Sequence, residues 1–127
     1  MPRETVRVLG VDPALRATGL GVVEESGRAL RAVEYGVVVN PPPRSHSEAL
    51  LALLRSLDEI LARAAPDAVA IESPFFSRNA RTAIALGEAR GVVLAACAAR
   101  GLQVHEYEPR AVKRALALGQ LQGEIPG

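Results

Sequence analysis

Three consecutive prolines, Pro41 to Pro43, divide the sequence into two parts with different patterns. Proline has no backbone N–H and restricts the residue before it, so this stretch cannot lie inside a helix or a central strand. Upstream of the prolines, β-branched and apolar residues predict three strands, at residues 6–12, 20–25 and 28–39. A tight turn at Ser26 and Gly27 joins the last two strands. We therefore expect the first part to form an antiparallel meander.

Downstream of the prolines, strands and helices alternate. Ser45 followed by Glu48 is a capping box, and leucines at helical spacing predict an amphipathic helix that ends at Pro66. The elements predicted after it are a strand at 68–72, a long helix at 79–100 capped by Gly101, a strand at 102–107 and a short helix at 110–118. Because parallel strands need crossover connections, this order predicts an α/β fold with a mixed sheet and helices on its faces.

The length of 127 residues fits a single domain, which we assign to residues 1–119. Residues 120–127 contain two glycines and a proline, and we expect them to form a disordered tail. The net charge of +1 is too small to indicate a polyanionic partner, so any nucleic-acid contact must be local. Fourteen of the fifteen basic residues are Arg, which suits phosphate contact but equally suits a GC-rich or thermophilic source.

The cellular compartment is indicated by two absences in the sequence. A single cysteine, Cys97, excludes an internal disulfide and leaves too few soft ligands for zinc; we expect it to be a small core residue on the long helix. The longest apolar run, residues 92–99, is far shorter than the roughly 20 residues that span a bilayer, and no secretion signal is evident. We expect a cytoplasmic protein with no membrane partner.

Two acidic residues end the apolar strands on either side of the first helix. Asp12 closes the first predicted strand and Glu72 closes the fourth, each before a turn that contains a proline. Side chains at strand ends emerge at the carboxyl edge of such a sheet, where ligands usually bind. Two neighbouring carboxylates would repel each other unless a cation bridged them, and oxygen ligands suit Mg²⁺. The alternative is that each residue is a solvated strand-end acid or a helix cap.

Several segments resemble RuvC-type Holliday junction resolvases, which have the RNase H-like fold. The resemblance lies in the segments 10–22 (GVDPALRATGLGV), 70–76 (AIESPFF), 79–80 (NA), 86–91 (LGEARG), 104–107 (VHEY) and 110–113 (RAVK). Ala14 departs from the glycine that the family usually has there. The resemblance implies an RNase H-like sheet of three antiparallel strands followed by two parallel strands, and a nuclease that uses Mg²⁺, or Mn²⁺ in its place, bound by Asp12 and Glu72.

The family pattern continues with two more helices and an Asp-rich motif that contributes two further metal-binding acids. This motif has no counterpart here, so we expect a fold that is truncated at its carboxyl end. The three aspartates of the chain are Asp12, Asp58 and Asp67, and the last two lie inside a helix and before a strand. A two-metal nuclease shares its ions among several carboxylates. We therefore expect this chain to be weakly active or inactive.

The resemblance also implies DNA contacts around the acidic edge. Phe75 is expected to stack on a base near the scissile phosphate, with the alternative that Phe75 and Phe76 pack under their own loop. Five basic residues are candidates for phosphate contact, namely Arg78, Arg81, Arg90, Lys113 and Arg114. For each of the first three, a position on a solvated helix face is an equally good interpretation.

The function implied by this resemblance is resolution of four-way DNA junctions in recombination and repair by a homodimer that works with a branch-migration helicase complex. A junction offers two symmetric cleavage points, which favours a symmetric dimer, and the Ala-rich face of residues 91–99 is the candidate interface. Two alternatives remain open. One is a non-catalytic junction-binding protein, and the other is an RNase H-fold nuclease that acts on RNA.

Overall fold

A computed structural model describes residues 5–14, 17–26, 29–39, 45–72 and 79–107. The elements in chain order are β1 (Thr5–Asp12), β2 (Ala17–Ser26), β3 (Ala29–Val39), α1 (His46–Ala64), β4 (Ala68–Glu72), α2 (Ala80–Ala99) and β5 (Val104–Tyr107). The helix predicted at 110–118 and the tail predicted at 120–127 lie outside the described residues.

One mixed sheet has the strand order β3-β2-β1-β4-β5. The first three strands pair antiparallel, and β4 and β5 are added parallel to β1. This arrangement confirms the predicted α/β fold, with its meander followed by two parallel strands. β2 begins at Ala17, three residues earlier than predicted, because Ala17 pairs with Val39 and Gly19 pairs with Asp12. The small and polar residues at this end gave no apolar pattern from which the pairing could be predicted.

The helix α1 begins and ends through local interactions that the sequence encodes. The Ser45 hydroxyl accepts a hydrogen bond from the Glu48 backbone N–H, and the Glu48 carboxylate accepts one from the Ser45 N–H, both at 3.2 Å. This confirms the predicted capping box. At the other end Ala65 has a left-handed backbone with φ of 45°, and its N–H donates to the Leu61 carbonyl. The following Pro66 disfavours a further helical residue at this position.

The core lies between the sheet and the two helices. It consists of buried side chains from β1, β2, β4 and both helices, namely Leu9, Val11, Leu20, Val22, Leu53, Leu57, Ile60, Leu61, Ala64, Val69, Ile71, Ala89, Val93, Ala96 and Cys97. Cys97 is fully buried, as predicted, and this burial raises the pKa of its thiol above the ordinary value of 9.0.

The helix α2 is apolar on more than one face. Among the described residues it is the one helix whose length and hydropathy would allow it to cross a bilayer. Nevertheless Ala89, Val93 and Ala96 belong to the core cluster that the sheet and α1 share, so we interpret α2 as a core helix. Gly101 ends it with φ of +69°, which confirms the predicted left-handed cap.

Candidate active site

Asp12 and Glu72 lie side by side at the carboxyl edge of the sheet. β1 and β4 are adjacent and parallel, and their register pairs Val11 with Ile71. Each strand ends one residue later, at Asp12 and at Glu72. Neighbouring strands lie about 4.8 Å apart. The structure therefore brings together the two acids that the sequence analysis singled out.

Strand alternation also places the two acids on one face of the sheet. Val11 and Ile71 are fully buried in the core beneath the helices. Since successive side chains along a strand alternate between the two faces, Asp12 and Glu72 share the opposite face. Glu72 is only 9% exposed, whereas Asp12 is partly exposed. The pair can thus present carboxylate oxygens to one ligand at the sheet edge.

A buried threonine binds the backbone of Ala14, two residues after Asp12. The Thr18 side chain is fully buried in β2. Its hydroxyl accepts a hydrogen bond from the Ala14 N–H at 3.1 Å and donates one to the Ala14 carbonyl. The next residue of β2, Gly19, pairs with Asp12. Thr18 was not among the predicted site residues, although a hydroxyl residue beside an otherwise apolar strand was the available signal.

An arginine of α2 holds the end of β4. Arg90 donates from Nη1 to the Glu72 backbone carbonyl at 2.7 Å, and its Nη2 pairs with the Glu106 carboxylate of β5. The Arg90 side chain is 15% exposed. Both ends of its guanidinium therefore bind protein groups, which is not the solvent-facing arrangement that a phosphate contact would favour.

The remaining site predictions divide into one described residue and four outside the described part of the chain. Arg81 is exposed to solvent in the first turn of α2. Phe75, Arg78, Lys113 and Arg114 lie outside the described residues.

The other two aspartates lie away from the acidic edge. Asp67 sits at the amino end of β4, where its carboxylate accepts a hydrogen bond from the Arg7 N–H at 2.8 Å. Asp58 is exposed on α1, and its backbone carbonyl accepts from Arg100. As expected from the sequence, neither residue is placed to bind a metal together with Asp12 and Glu72.

The donor chemistry at the edge suits a hard cation. Mg²⁺ is commonly held by one or two carboxylates, with water and substrate phosphate completing its octahedron, so Asp12 and Glu72 fit one such ion. Across the residues that the structure describes, no group of three or more His, Cys, Asp or Glu side chains could hold a metal. The described residues thus supply a two-carboxylate site and not the larger set that two shared ions need.

A groove elsewhere on the molecule is separate from this edge. Its volume is about 350 Å³, and it lies between β3 and α1, where Arg63 pairs with Glu34. Its lining includes neither Asp12 nor Glu72. We therefore place the chemistry at the open sheet edge, where charged groups converge, and not in the groove.

Comparisons with a family model, with known sequences and with solved structures all indicate the same family. A family model described as "Crossover junction endodeoxyribonuclease RuvC" matches residues 8–124. A protein of that name from Chloroflexus aurantiacus is 44% identical over 112 residues, which cover 88% of this chain and 68% of the relative, and one from Chloroflexus aggregans is 45% identical over the same length. The solved structure "T. thermophilus RuvC in complex with Holliday junction substrate" superposes with a TM-score of 0.77 at 35% identity, covering 91% of this chain and 72% of that one.

Proposed function

Because the chain belongs to the RuvC family of crossover junction endodeoxyribonucleases, we propose that it is a structure-selective DNA endonuclease that cuts four-way junctions by metal-dependent phosphodiester hydrolysis. The observation that carries this proposal is the placement of Asp12 and Glu72 at adjacent ends of β1 and β4. The solved relative bound to a Holliday junction supports the choice of substrate.

The proposed chemistry divides the work between a cation and the chain. Asp12 and Glu72 would hold Mg²⁺, or Mn²⁺ in its place, and the ion would supply Lewis-acid chemistry at the scissile phosphate. Thr18 holds Ala14, two residues after Asp12, through its two hydrogen bonds to the Ala14 backbone.

The proposed DNA contacts flank the acidic edge. Phe75 stacks on a base near the cleaved bond, and the basic residues that bind phosphate are Arg78, Arg81, Lys113 and Arg114. The exposure of Arg81 supports its role. Phosphate contacts position a duplex without reading its sequence, so replacing Arg81 by Met should weaken binding to all junctions alike and lower the salt slope by about one.

We further propose that the chain acts as a homodimer through α2. Val93, Ala96 and Cys97, which belong to the Ala-rich face first considered, are buried in the core and cannot form the contact. The exposed apolar side chains Ile84 and Leu94 lie on the outside of the helix, at 63% and 41% exposure. Gly87 and Gly91 have open space around them and would let a second helix approach closely. A Leu94→Arg variant should therefore run as a smaller particle in sedimentation, and an unchanged particle would exclude this interface.

We also propose a cellular setting, which the family likeness supports. We place the protein in the cytoplasm, where it acts in recombination and repair together with a branch-migration helicase complex. This partner can be tested by pull-down with the purified helicase on a junction, using Leu94→Arg to separate dimerisation from partner binding.

The deciding experiment compares substrates and variants under one set of conditions. Wild-type protein is incubated with Mg²⁺ and a labelled four-way junction, a linear duplex of the same sequence, or an RNA duplex, in parallel with Asp12→Asn, Glu72→Gln and the control Asp58→Asn. We expect junction cleavage by wild type and by Asp58→Asn, and background rates for the other two variants.

Each alternative gives a different pattern in this assay. Junction binding without cleavage, even at high enzyme and Mn²⁺ concentrations, would indicate a non-catalytic junction-binding protein. Preferential cleavage of RNA would indicate a ribonuclease. Cleavage that survives both Asp12→Asn and Glu72→Gln would contradict the assignment of these acids.

A further inference from the structure

The contacts of Arg90 connect three elements at the point where Glu72 ends its strand. Arg90 extends from α2, its Nη1 binds the Glu72 carbonyl at 2.7 Å, and its Nη2 binds the Glu106 carboxylate. Glu106 lies on β5, where it pairs in register with Ile71, the residue before Glu72. The guanidinium therefore connects the carboxyl ends of two adjacent parallel strands.

The chemistry of the arginine side chain suits a fixed bridge. The guanidinium is planar and carries five N–H donors in a rigid fork, so two simultaneous partners define its position. Its 15% exposure means that most of the side chain is packed inside the protein. To bind a phosphate with both ends, it would have to give up the Glu72 carbonyl and the Glu106 carboxylate, and leave a polar backbone group near the strand end without its donor.

The bridge acts on the backbone of a residue whose side chain must be placed accurately. The Glu72 backbone ends β4, and the hydrogen bond from Arg90 fixes its carbonyl. The position of the carbonyl sets the peptide plane, and with it the direction in which the Glu72 side chain leaves the chain. Groups that orient metal ligands from behind commonly change metal affinity or activity by about 10- to 100-fold when removed.

We propose that Arg90 is a positioning residue for Glu72 and not a contact to DNA, with Glu106 as the anchor that holds the guanidinium in place. This inference rests on the proposed function, because it assumes that Glu72 binds the divalent ion. It replaces the phosphate-binding role that the sequence analysis considered for Arg90.

The test separates metal affinity from DNA affinity. Mn²⁺ binding to the protein is titrated by electron paramagnetic resonance, and junction binding is measured separately in EDTA at several salt concentrations. The variants are Arg90→Met, Arg90→Lys and Glu106→Ala, with Arg100→Met as the matched control. Arg100 lies at the end of the same helix and also donates to a backbone carbonyl, that of Asp58, far from the acidic edge.

We expect Arg90→Met and Arg90→Lys to weaken Mn²⁺ binding by about tenfold or more, because Met has no donor and the compact ammonium of Lys lacks the rigid fork that defines the position of both partners. Glu106→Ala should give a smaller loss in the same direction, and Arg100→Met should give none. Junction affinity in EDTA and its salt slope should be unchanged by Arg90→Met. Arg81→Met provides the contrast, since it should lower junction affinity and salt slope while leaving Mn²⁺ affinity intact.

Three results would overturn the proposal, and they differ from one another. A salt slope of junction binding that is reduced in Arg90→Met and restored in Arg90→Lys would show that Arg90 contacts DNA. Wild-type Mn²⁺ affinity in Arg90→Met would show that the bridge does not position Glu72. Absence of Mn²⁺ binding in the wild-type protein itself would contradict the proposed function from which this inference starts. Thermal unfolding of each variant identifies any change that comes from loss of the fold.

Discussion

Replacement of Thr18 by Val should destabilise the protein by about 2–4 kcal/mol. The two side chains have nearly the same shape, so packing in this fully buried position is kept. The change removes the hydroxyl that accepts from the Ala14 N–H and donates to the Ala14 carbonyl. A hydrogen bond contributes about 1 kcal/mol net, but when one partner is removed the other costs about 1–3 kcal/mol if it stays buried and unpaired, so the two Ala14 groups would together cost about 2–6 kcal/mol. Because Ala14 is only partly buried, we expect the loss of stability to lie in the lower part of this range, at about 2–4 kcal/mol.

The matched variant is Thr18→Ser, which keeps the hydroxyl and removes one methyl group. Loss of a single buried methyl group costs about 0.5–1.5 kcal/mol. We therefore expect Ser to be more stable than Val at this position, although Val is the more apolar residue. The free energy of unfolding is obtained from urea denaturation by linear extrapolation, with equal slopes required for the comparison.

The Thr18→Val substitution should also affect metal binding by Asp12. A loosened loop after Asp12 places its carboxylate less accurately, and we expect Mg²⁺ affinity to fall by about tenfold in Thr18→Val and by much less in Thr18→Ser. A Val variant as stable as wild type, or a Ser variant less stable than Val, would refute the role given to the hydroxyl.

Three further predictions concern the fold. Ala65→Gly should raise the free energy of unfolding by about 0.5–1 kcal/mol, because φ of 45° is unfavourable for Ala; denaturation curves check this, and a destabilised variant would contradict it. Leu57→Ala should cost about 2–5 kcal/mol in the same assay, since Leu57 is fully buried, and a loss below 1 kcal/mol would place it outside the core. Because its pKa is raised in the folded protein, the Cys97 thiol ionises at lower pH in the unfolded chain, so the free energy of unfolding should fall as pH rises above 9.0. Cys97→Ala should lack this component, and a pH profile identical to that of wild type would contradict the prediction.

Much of the fold could be predicted because local pattern and tertiary role agree. The β-branched run that ends at Asp12 and the run that ends at Glu72 are strands buried in a parallel pair, so their composition indicates their place in the sheet. The start of α1 was predicted from Ser45 and Glu48, and each of these side chains accepts a hydrogen bond from the backbone N–H of the other residue, three positions away. Such features depend on neighbours in sequence and are therefore visible in it.

The parts that were missed depend on contacts between residues far apart in the chain. The early start of β2 depends on pairing with β1 and β3, and a Thr-Gly pair has no strand pattern of its own. The contact of Arg90 with the Glu72 carbonyl crosses 18 residues of sequence and involves a backbone atom, which no side-chain motif can indicate. The adjacency of Asp12 and Glu72 was expected because each residue ends a strand. Which residues of β1 and β4 pair with each other could be learned only from the structure.

The most direct measurement is a calorimetric titration of Mg²⁺ into wild-type protein, Asp12→Asn, Glu72→Gln and the double variant. If one ion binds both carboxylates, each single substitution should remove most of the affinity, and the double variant should lose little more than either one. Wild-type affinity in either single variant, or losses in the double variant equal to the sum of the two single losses, would show that Asp12 and Glu72 do not bind a common ion.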